Sequence, residues 1–294
     1  ISKKTAKFYY LTKNILPGFL LPGLRKIYFF VSRRFSDKND HVDMLKERIQ
    51  KIKSCLRYVN IFLAPSEYLR KKSIEFGIPA EKIELSRNGL NISLFARPQD
   101  KKSSGKIRFG FIGTILPGKG LHILIKAFNQ IKNDNLELLI YGALRFYAGY
   151  EDYLVNLRKI AKNKNIKFMG EFDNEKVPDI FSNFDVLIIP SIWPENNPLV
   201  IQEVFLAKTP VIASRVGGIS ELIKEGVNGL LFDPYDPKDL RKKIEYIISN
   251  LGVMKGCELN MPKVKSIGDN AKEIEEIYKK IIAGKNVPIL DIKI

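Results

Sequence analysis

The sequence is poor in the residues from which disulfides and zinc sites are built. Its 294 residues include two cysteines, Cys55 and Cys257, and two histidines, His41 and His122. The cysteines are far apart in the chain and neither has a ligand partner nearby, so isolated buried thiols are the simplest interpretation. A disulfide framework and a structural zinc site are both disfavoured, and we expect no metal ion.

No apolar run is long enough to cross a bilayer, and no secretory signal is visible. The longest candidate, residues 15–34, is interrupted by two Pro-Gly pairs and by Arg25 and Lys26. Two interpretations fit this segment equally well: aromatic and basic residues lying on a membrane surface, or part of the core of a domain. The chain begins with Ile1 rather than methionine, so we also expect a fragment of a longer protein.

Acidic residues are too few to balance the lysines and arginines, and the net charge is +17. The first 75 residues carry most of the excess, with 17 Lys and Arg against 6 Asp and Glu. This composition suits membrane headgroups, nucleic acid or phosphorylated substrates, although a lysine-rich solvated surface would look the same. We expect no nucleic-acid partner, because no recognition motif accompanies the charge. We expect a cytoplasmic protein, with peripheral association at the inner face of the membrane as a further hypothesis.

Short apolar runs alternate with helix-like segments from residue 106 onward. Strands that are almost continuously apolar and separated by helices indicate a parallel sheet covered on both faces. We therefore predict an α/β fold with a Rossmann-like doubly wound parallel sheet, whose ligands bind beyond the carboxyl ends of the strands. The predicted strands are 106–113, 136–142, 165–170, 185–191, 210–214 and 228–232.

The residues before this sheet contain too few strands for a complete sheet domain. The patterns there predict helices at 41–59 and 66–77, the second capped by Ser66, and strands at 59–66 and 82–89. We divide the chain into a partial N-terminal α/β part with its linker, a C-terminal Rossmann-like domain, and a final helix returning toward the N-terminal part. Their predicted bounds are 1–96, 97–265 and 266–294.

The segment SIWPENNPLVIQEVFLA, residues 191–207, contains a predicted helix start. Pro198 suits the first helical position and Asn197 suits the N-cap, so we predict that the helix begins at Pro198. The backbone N–H groups of Leu199 and Val200 would then lack helical partners and would carry part of the positive end of the helix dipole. A phosphate fits such a position, although water satisfies many ordinary helix starts.

Glu203 lies among apolar residues of the same predicted helix. An ionised carboxylate removed from water needs donors, because its burial without partners costs on the order of several kcal/mol. Only Lys208, five residues on, is a basic residue close by in sequence. Two ribose hydroxyls of a ligand would supply donors, and a backbone amide at the helix edge would do so equally well, so both interpretations stay open.

The loop GTILPGKG, residues 113–120, connects the first strand of the predicted sheet to a helix. Its glycines allow close approach of a ligand to the backbone, and Lys119 could reach a diphosphate as a point charge. The loop is neither a G-x-G-x-x-G turn nor a Walker A sequence. A dinucleotide dehydrogenase or a P-loop enzyme therefore lacks its fingerprint here.

Together these motifs resemble the retaining glycosyltransferases of family 4, the glycosyl transferases group 1, which have the GT-B fold. The resemblance rests on Glu195-x7-Glu203 within PENNPLVIQE, on TPVIAS, VGGISELI, GVNGLLF and DPYDPKDL, and on FGFIGTILPGKGLHILIKAF. LAPSEYLRKKSIEFGIPAEKIELSRNGLNISLF matches the end of the N-terminal domain of that family, so the resemblance runs from about residue 60 to residue 284. It implies that most of the N-terminal domain of the family is absent from this chain.

The resemblance implies transfer of a sugar from a nucleotide-sugar donor to a glycan, lipid-linked or other acceptor, with retention of configuration and without a metal or other cofactor. It implies catalytic roles for Lys119, which would bind the diphosphate, and Glu195, which would bind the donor sugar, while Glu203 would hold the ribose. Thr114 stands where the family usually has arginine, and Arg145 is a candidate replacement. The other implied donor-binding residues are Gly113, Gly142, Asn196, Asn197, Pro198, Leu199 and Val200.

Other functions fit parts of this pattern. A regulatory or nucleotide-binding module would keep the donor site without turnover, and this is the main alternative for a fragment. Nucleotide-sugar epimerases and glycogen phosphorylases have similar architectures, but the acid pair and the PENNP helix start favour a transferase. Fold alone does not decide among them, because function depends on the site.

Overall fold

The computed structural model describes residues 38–96, 105–145, 147 and 149–284, with side chains from residue 42. By contacts between residues, the chain divides into one unit of residues 60–288 and another of 1–59 with 289–294. The apolar segment 15–34 lies outside the described residues, and the predicted boundary at 96/97 stays a prediction. In the smaller unit, α1 spans Lys38–Leu56. None of the helices within the described ranges is long and apolar enough to cross a bilayer.

Residues 60–96 form a small α/β segment of the larger unit. Strands β1 (Phe62–Ala64) and β2 (Ile83–Leu85) pair in parallel and are connected through α2 (Glu67–Glu75). Ser66 caps α2, as predicted, by accepting a hydrogen bond from the Leu69 amide at 3.1 Å. The Glu221 carboxylate accepts another from the Glu67 amide at 2.9 Å, so the start of α2 is held by a residue from the Rossmann-like part of the chain.

A six-stranded parallel sheet forms the centre of the larger unit and confirms the predicted Rossmann-like fold. The strands lie in the order β5-β4-β3-β6-β7-β8. This order reverses direction between β3 and β6, which is where open α/β sheets bind ligands. The strands are β3 (Ile107–Ile112), β4 (Leu136–Tyr141), β5 (Ile166–Gly170), β6 (Val186–Ile189), β7 (Val211–Ser214) and β8 (Gly229–Phe232).

Helices cover both faces of this sheet, which explains why most residues of its strands are apolar. Alternate residues of β3 show the pattern, since Phe109 and Phe111 pack into one core and Ile112 packs into the other. The first core is covered by α3 (Leu121–Phe128), α4 (Tyr153–Ile160) and α8 (Pro237–Ser249). The second is covered by α5 (Val177–Phe181), α6 (Leu199–Leu206) and α7 (Ile219–Leu222).

Two helices follow the sheet, α9 (Leu251–Leu259) and α10 (Ile267–Ile282). The chain entering α10 pairs with the chain leaving β2. The Leu90 amide donates to the Lys265 carbonyl at 3.0 Å, and the Ile267 amide donates to the Leu90 carbonyl at 2.8 Å. These bonds bring the start of α10 beside the residue 60–96 segment.

Candidate functional site

The loops after β3 and β6 are joined by hydrogen bonds at the carboxyl edge of the sheet. The Gly118 carbonyl accepts from the amides of Ile192 and Trp193 at 2.9 and 3.1 Å. Gly120 allows this approach, because its φ is +70° and an added Cβ would lie 1.7 Å from the Pro190 carbonyl oxygen. The loop that carries Lys119 is thereby fixed beside the residues that lead to Glu195.

The two predicted catalytic residues form an ion pair. Lys119 Nζ lies 2.9 Å from Glu195 Oε2, with 37 % of the lysine side chain and 14 % of the glutamate side chain exposed. Ser191 Oγ donates a hydrogen bond to the other oxygen of the same carboxylate. Ser191 was not among the predicted site residues, although it lies at the carboxyl end of β6 and four residues before Glu195. The arrangement presents a fixed carboxylate and an ammonium group side by side.

The helix after PENN starts one residue later than predicted. The ring of Pro198 sets its φ to −66°, but its ψ of 119° is extended, so Pro198 is the N-cap and Leu199 is the first helical residue. Asn197 is therefore not the N-cap. Its Oδ1 instead accepts from Gln202 Nε2 at 3.2 Å, and no side chain caps α6. The predicted free N–H groups of Leu199 and Val200 find no acceptor within the described part of the chain.

Asn197 has a further property that bears on ligand binding. The residue is buried, with 8 % of its surface exposed. Its Nδ2 donor has no hydrogen-bond partner among the described residues. A buried donor left unpaired costs about 1–3 kcal/mol. A ligand oxygen beside the start of α6 would remove that cost.

Glu203 is partly buried on α6, and burial raises the pKa of its carboxyl group above the ordinary value. No hydrogen bond or ion pair to this carboxylate is present among the residues that the structure describes. The backbone-amide interpretation considered above is therefore not what the structure shows. The group is left as an unpaired acceptor on the helix that begins at the candidate site.

Two glycines that were not predicted as site residues support the backbone of Glu195 and Asn196. The Gly218 amide donates to the Glu195 carbonyl at 2.7 Å. A Cβ at Gly218 would lie 1.7 Å from the Asn196 carbonyl oxygen, and one at Gly217 would lie 2.6 Å from that of Glu195. The VGG sequence after β7 therefore lets two loops meet with no side chain between them.

The remaining predicted donor-binding residues lie after β3 and β4. The Gly113 amide donates to the Tyr141 carbonyl at 3.1 Å, and the Gly142 amide donates to the Gly170 carbonyl at 2.8 Å. Thr114 is half-buried. Arg145 is exposed and forms an ion pair with Glu171. None of the contacts described for Arg145 joins it to Lys119 or Glu195, so its role as a replacement for arginine at position 114 stays a prediction.

Comparison with known proteins agrees with this fold. The family model for Glycosyl transferases group 1 matches residues 94–273. An uncharacterized glycosyltransferase of Methanocaldococcus jannaschii is 29 % identical over 222 residues, which cover 69 % of this chain and 55 % of the relative. The chain spans about half the length of such curated relatives.

Two solved structures show the same fold at lower identity. Anabaena HepE in complex with UDP-glucose is 24 % identical, with a TM-score of 0.67 over 76 % of this chain and 65 % of that protein. Sucrose-phosphate synthase from Thermosynechococcus elongatus is 21 % identical, with a TM-score of 0.70 over 82 % of this chain and 63 % of that protein. With the family model matching well over half of the residues, the chain belongs to the glycosyl transferases group 1 family.

Proposed function

We propose that the carboxyl edge of the sheet binds a nucleotide-sugar and that the chain takes part in transferring its sugar to an acceptor. The observation that carries this proposal is the Lys119–Glu195 ion pair at 2.9 Å, together with the unpaired N–H groups that begin α6 four residues after Glu195. We extend the proposal to retention of anomeric configuration and to catalysis without a metal, as the family resemblance implies. A domain with these groups has both a cation for a diphosphate and an acceptor for sugar hydroxyls.

Lys119 and the start of α6 would stabilise the departing diphosphate. Negative charge develops on the leaving phosphate as the glycosidic bond breaks, and preorganised donors aimed at that charge lower the barrier. The ammonium group of Lys119 and the N–H groups of Leu199 and Val200 are such donors, and the unpaired Nδ2 of Asn197 is another. Lys119 would supply the positive charge for which other enzymes use a metal ion.

The two acids would bind hydroxyl groups. Glu195 is held by Lys119 and Ser191, so its carboxylate has a fixed direction in which to accept hydrogen bonds from the donor sugar. Glu203 lacks a partner and would accept from the ribose hydroxyls. Glu195 would contact the donor sugar and Glu203 would contact the ribose. Removal of Glu195 should therefore weaken the binding of nucleotide-sugars, and removal of Glu203 should weaken the binding of all ribonucleotides.

The nucleobase of the donor and the identity of the acceptor are the next points to establish. HepE, a structural neighbour, was solved with UDP and with UDP-glucose, which makes uridine nucleotides the first ligands to test. The basic N-terminal segment favours a lipid-linked or membrane-presented acceptor and peripheral binding at the inner face of the membrane. Co-sedimentation with vesicles tests the proposed membrane association. Vesicle binding that is insensitive to anionic lipid would contradict an electrostatic role for the basic residues.

The direct test is binding by calorimetry after a thermal-shift screen of nucleotide-sugars. Lys119→Ala should weaken UDP binding about ten-fold or more and leave uridine binding unchanged, because a hydrogen bond to a charged group contributes about 1.5–3 kcal/mol. Lys164→Ala is the matched control, since Lys164 lies before β5 at the opposite edge and pairs with Asp134. Equal losses for UDP and uridine would contradict the assigned role.

Turnover is tested separately from binding. Sugar transfer that gives a product with the same anomeric configuration as the donor, read by NMR, would support a retaining transferase. Saturable donor binding without transfer by this chain would favour the alternative of a donor-binding module.

A further inference from the structure

Two large aromatic side chains stand exposed next to the candidate site. Trp193, the only tryptophan of the chain, is 68 % exposed, and Tyr235 is 64 % exposed. Trp193 comes two residues before Glu195, and its amide is bonded to the loop that carries Lys119. Tyr235 comes from the loop after β8, yet its hydroxyl donates to the carbonyl of Ile192 at 3.2 Å. The two side chains therefore come from loops that meet beside the ion pair.

The turn between β8 and α8, which the Asp236 amide closes by donating to the Asp233 carbonyl at 3.2 Å, requires a left-handed residue at position 235 but does not require a tyrosine. The φ of Tyr235 is +67°, in the left-handed region that costs a non-glycine residue about 1–2 kcal/mol. A ring that stays mostly exposed recovers little of this by burial, and an exposed hydrogen bond contributes only about 1 kcal/mol. A tyrosine at a turn position where glycine would be unstrained is therefore a reason to look for a function of its side chain.

We propose that Trp193 and Tyr235 form a subsite that binds a sugar ring of a saccharide acceptor. This inference rests on the proposed function, since it places the acceptor next to the acid that would hold the donor sugar. A sugar ring combines an apolar C–H face with hydroxyl groups, and aromatic rings with polar tips beside a few fixed polar groups suit it.

The size of the pair favours a small ligand over a protein partner. Aromatic side chains bury about 150–250 Å² each when fully covered, so two residues that are 68 % and 64 % exposed offer roughly 200–330 Å², whereas a stable protein interface uses about 800 Å² per partner. The nucleobase is expected elsewhere, near Gly142 and the loop after Gly170, which follow β4 and β5. The order of the sheet places these strands on the other side of β3 from β6.

Intrinsic fluorescence tests the subsite directly, because a single tryptophan makes emission excited at 295 nm specific for Trp193. The 294-residue chain is titrated with methyl glucoside, methyl galactoside, methyl N-acetylglucosaminide and maltotriose, with and without saturating UDP. We expect at least one saccharide to shift the emission saturably. Tyr235→Gly, which removes the ring and relieves the left-handed strain, should raise the dissociation constant for that saccharide about five-fold. Tyr235→Phe should leave it nearly unchanged, and neither variant should alter UDP affinity.

The possible outcomes separate this inference from the proposed function. No response to any saccharide, with UDP binding intact, would overturn the subsite and leave the donor site standing. A saccharide response that Tyr235→Gly weakens, without any nucleotide binding, would support a sugar site and contradict the donor site. Emission that responds to UDP-glucose but not to saccharide with UDP would assign the rings to the donor sugar, and emission that responds only to phosphatidylglycerol vesicles would assign them to a membrane surface. Either result would refute the acceptor subsite.

Discussion

Replacing Glu203 by glutamine should weaken the binding of ribonucleotides while making the unliganded protein more stable at neutral pH. The carboxylate is partly buried and unpaired, and burial raises its pKa above the ordinary 4.5. An acid whose pKa is raised by folding binds a proton more readily in the folded chain, so its stabilising contribution is complete below about pH 4.5 and is lost as the pH rises through the raised pKa. Glutamine has nearly the same shape as glutamate but carries no charge, so the variant avoids the cost of a buried carboxylate at neutral pH.

The magnitude of the binding effect follows from the bonds that the carboxylate would make. Hydrogen bonds to a charged group contribute about 1.5–3 kcal/mol each, against about 0.5–1.5 kcal/mol for neutral pairs. Exchanging one charged bond to a ribose hydroxyl for a neutral bond costs about 1–1.5 kcal/mol and should weaken UDP binding about five- to ten-fold, and losing the bond should weaken it more. The affinity of the wild-type chain for UDP-glucose, whose diphosphate is esterified at both ends and does not titrate in this range, should also rise with pH above about 4.5 until Glu203 is ionised, and the variant should lack this rise.

Calorimetry with UDP and 2′,3′-dideoxy-UDP isolates the contact. The wild-type chain should lose affinity when the two hydroxyls are removed, and Glu203→Gln should lose much less, so that the two changes are coupled. Glu245→Gln on the surface of α8 is the matched control and should behave as wild type. If Glu203→Gln weakened both ligands by the same factor, the carboxylate would not be contacting the ribose.

Three further predictions concern other parts of the structure. Gly218→Ala should displace Asn196 and reduce nucleotide-sugar affinity more than ten-fold, because the new Cβ would lie 1.7 Å from the Asn196 carbonyl oxygen. Gly252→Ala is the control in the same calorimetric assay, because a Cβ there meets nothing within 4 Å. Ser66→Ala should cost about 1 kcal/mol through loss of the α2 cap and lower the melting temperature by about 2–4 °C, and an unchanged melting curve would show that the Glu221 carboxylate suffices. EDTA should leave sugar transfer unchanged, whereas loss of activity that Mg²⁺ restores would mean that Lys119 does not supply the required charge.

The sheet could be predicted from sequence because each strand is an apolar run with a clear end. The order of its strands was not predicted, since no local pattern encodes which strands become neighbours. The helix α9 was missed as well. Gly252 and Gly256 lower the helix propensity of its sequence, and in the fold the helix buries Cys257.

The candidate site could be predicted in part. Lys119 and Glu195 are 76 residues apart in sequence; the predicted parallel sheet places both of their loops at its carboxyl edge, but only the family resemblance gives the two residues roles in one site. The helix start was predicted one residue early, because Pro198 fits both the N-cap and the first helical position and only its ψ distinguishes them. Ser191 and Gly218 were missed because their contribution is a hydrogen bond and a close approach between loops, and neither leaves a pattern within a single segment.

A crystal structure of the chain with UDP, or with the nucleotide that the thermal-shift screen selects, tests the central claim most directly. We predict the diphosphate within hydrogen-bonding distance of Lys119 Nζ and of the amides of Leu199 and Val200, with the ribose hydroxyls on the carboxylate of Glu203. A nucleotide bound away from the start of α6, or a Glu203 carboxylate that stays unpaired in the complex, would contradict it.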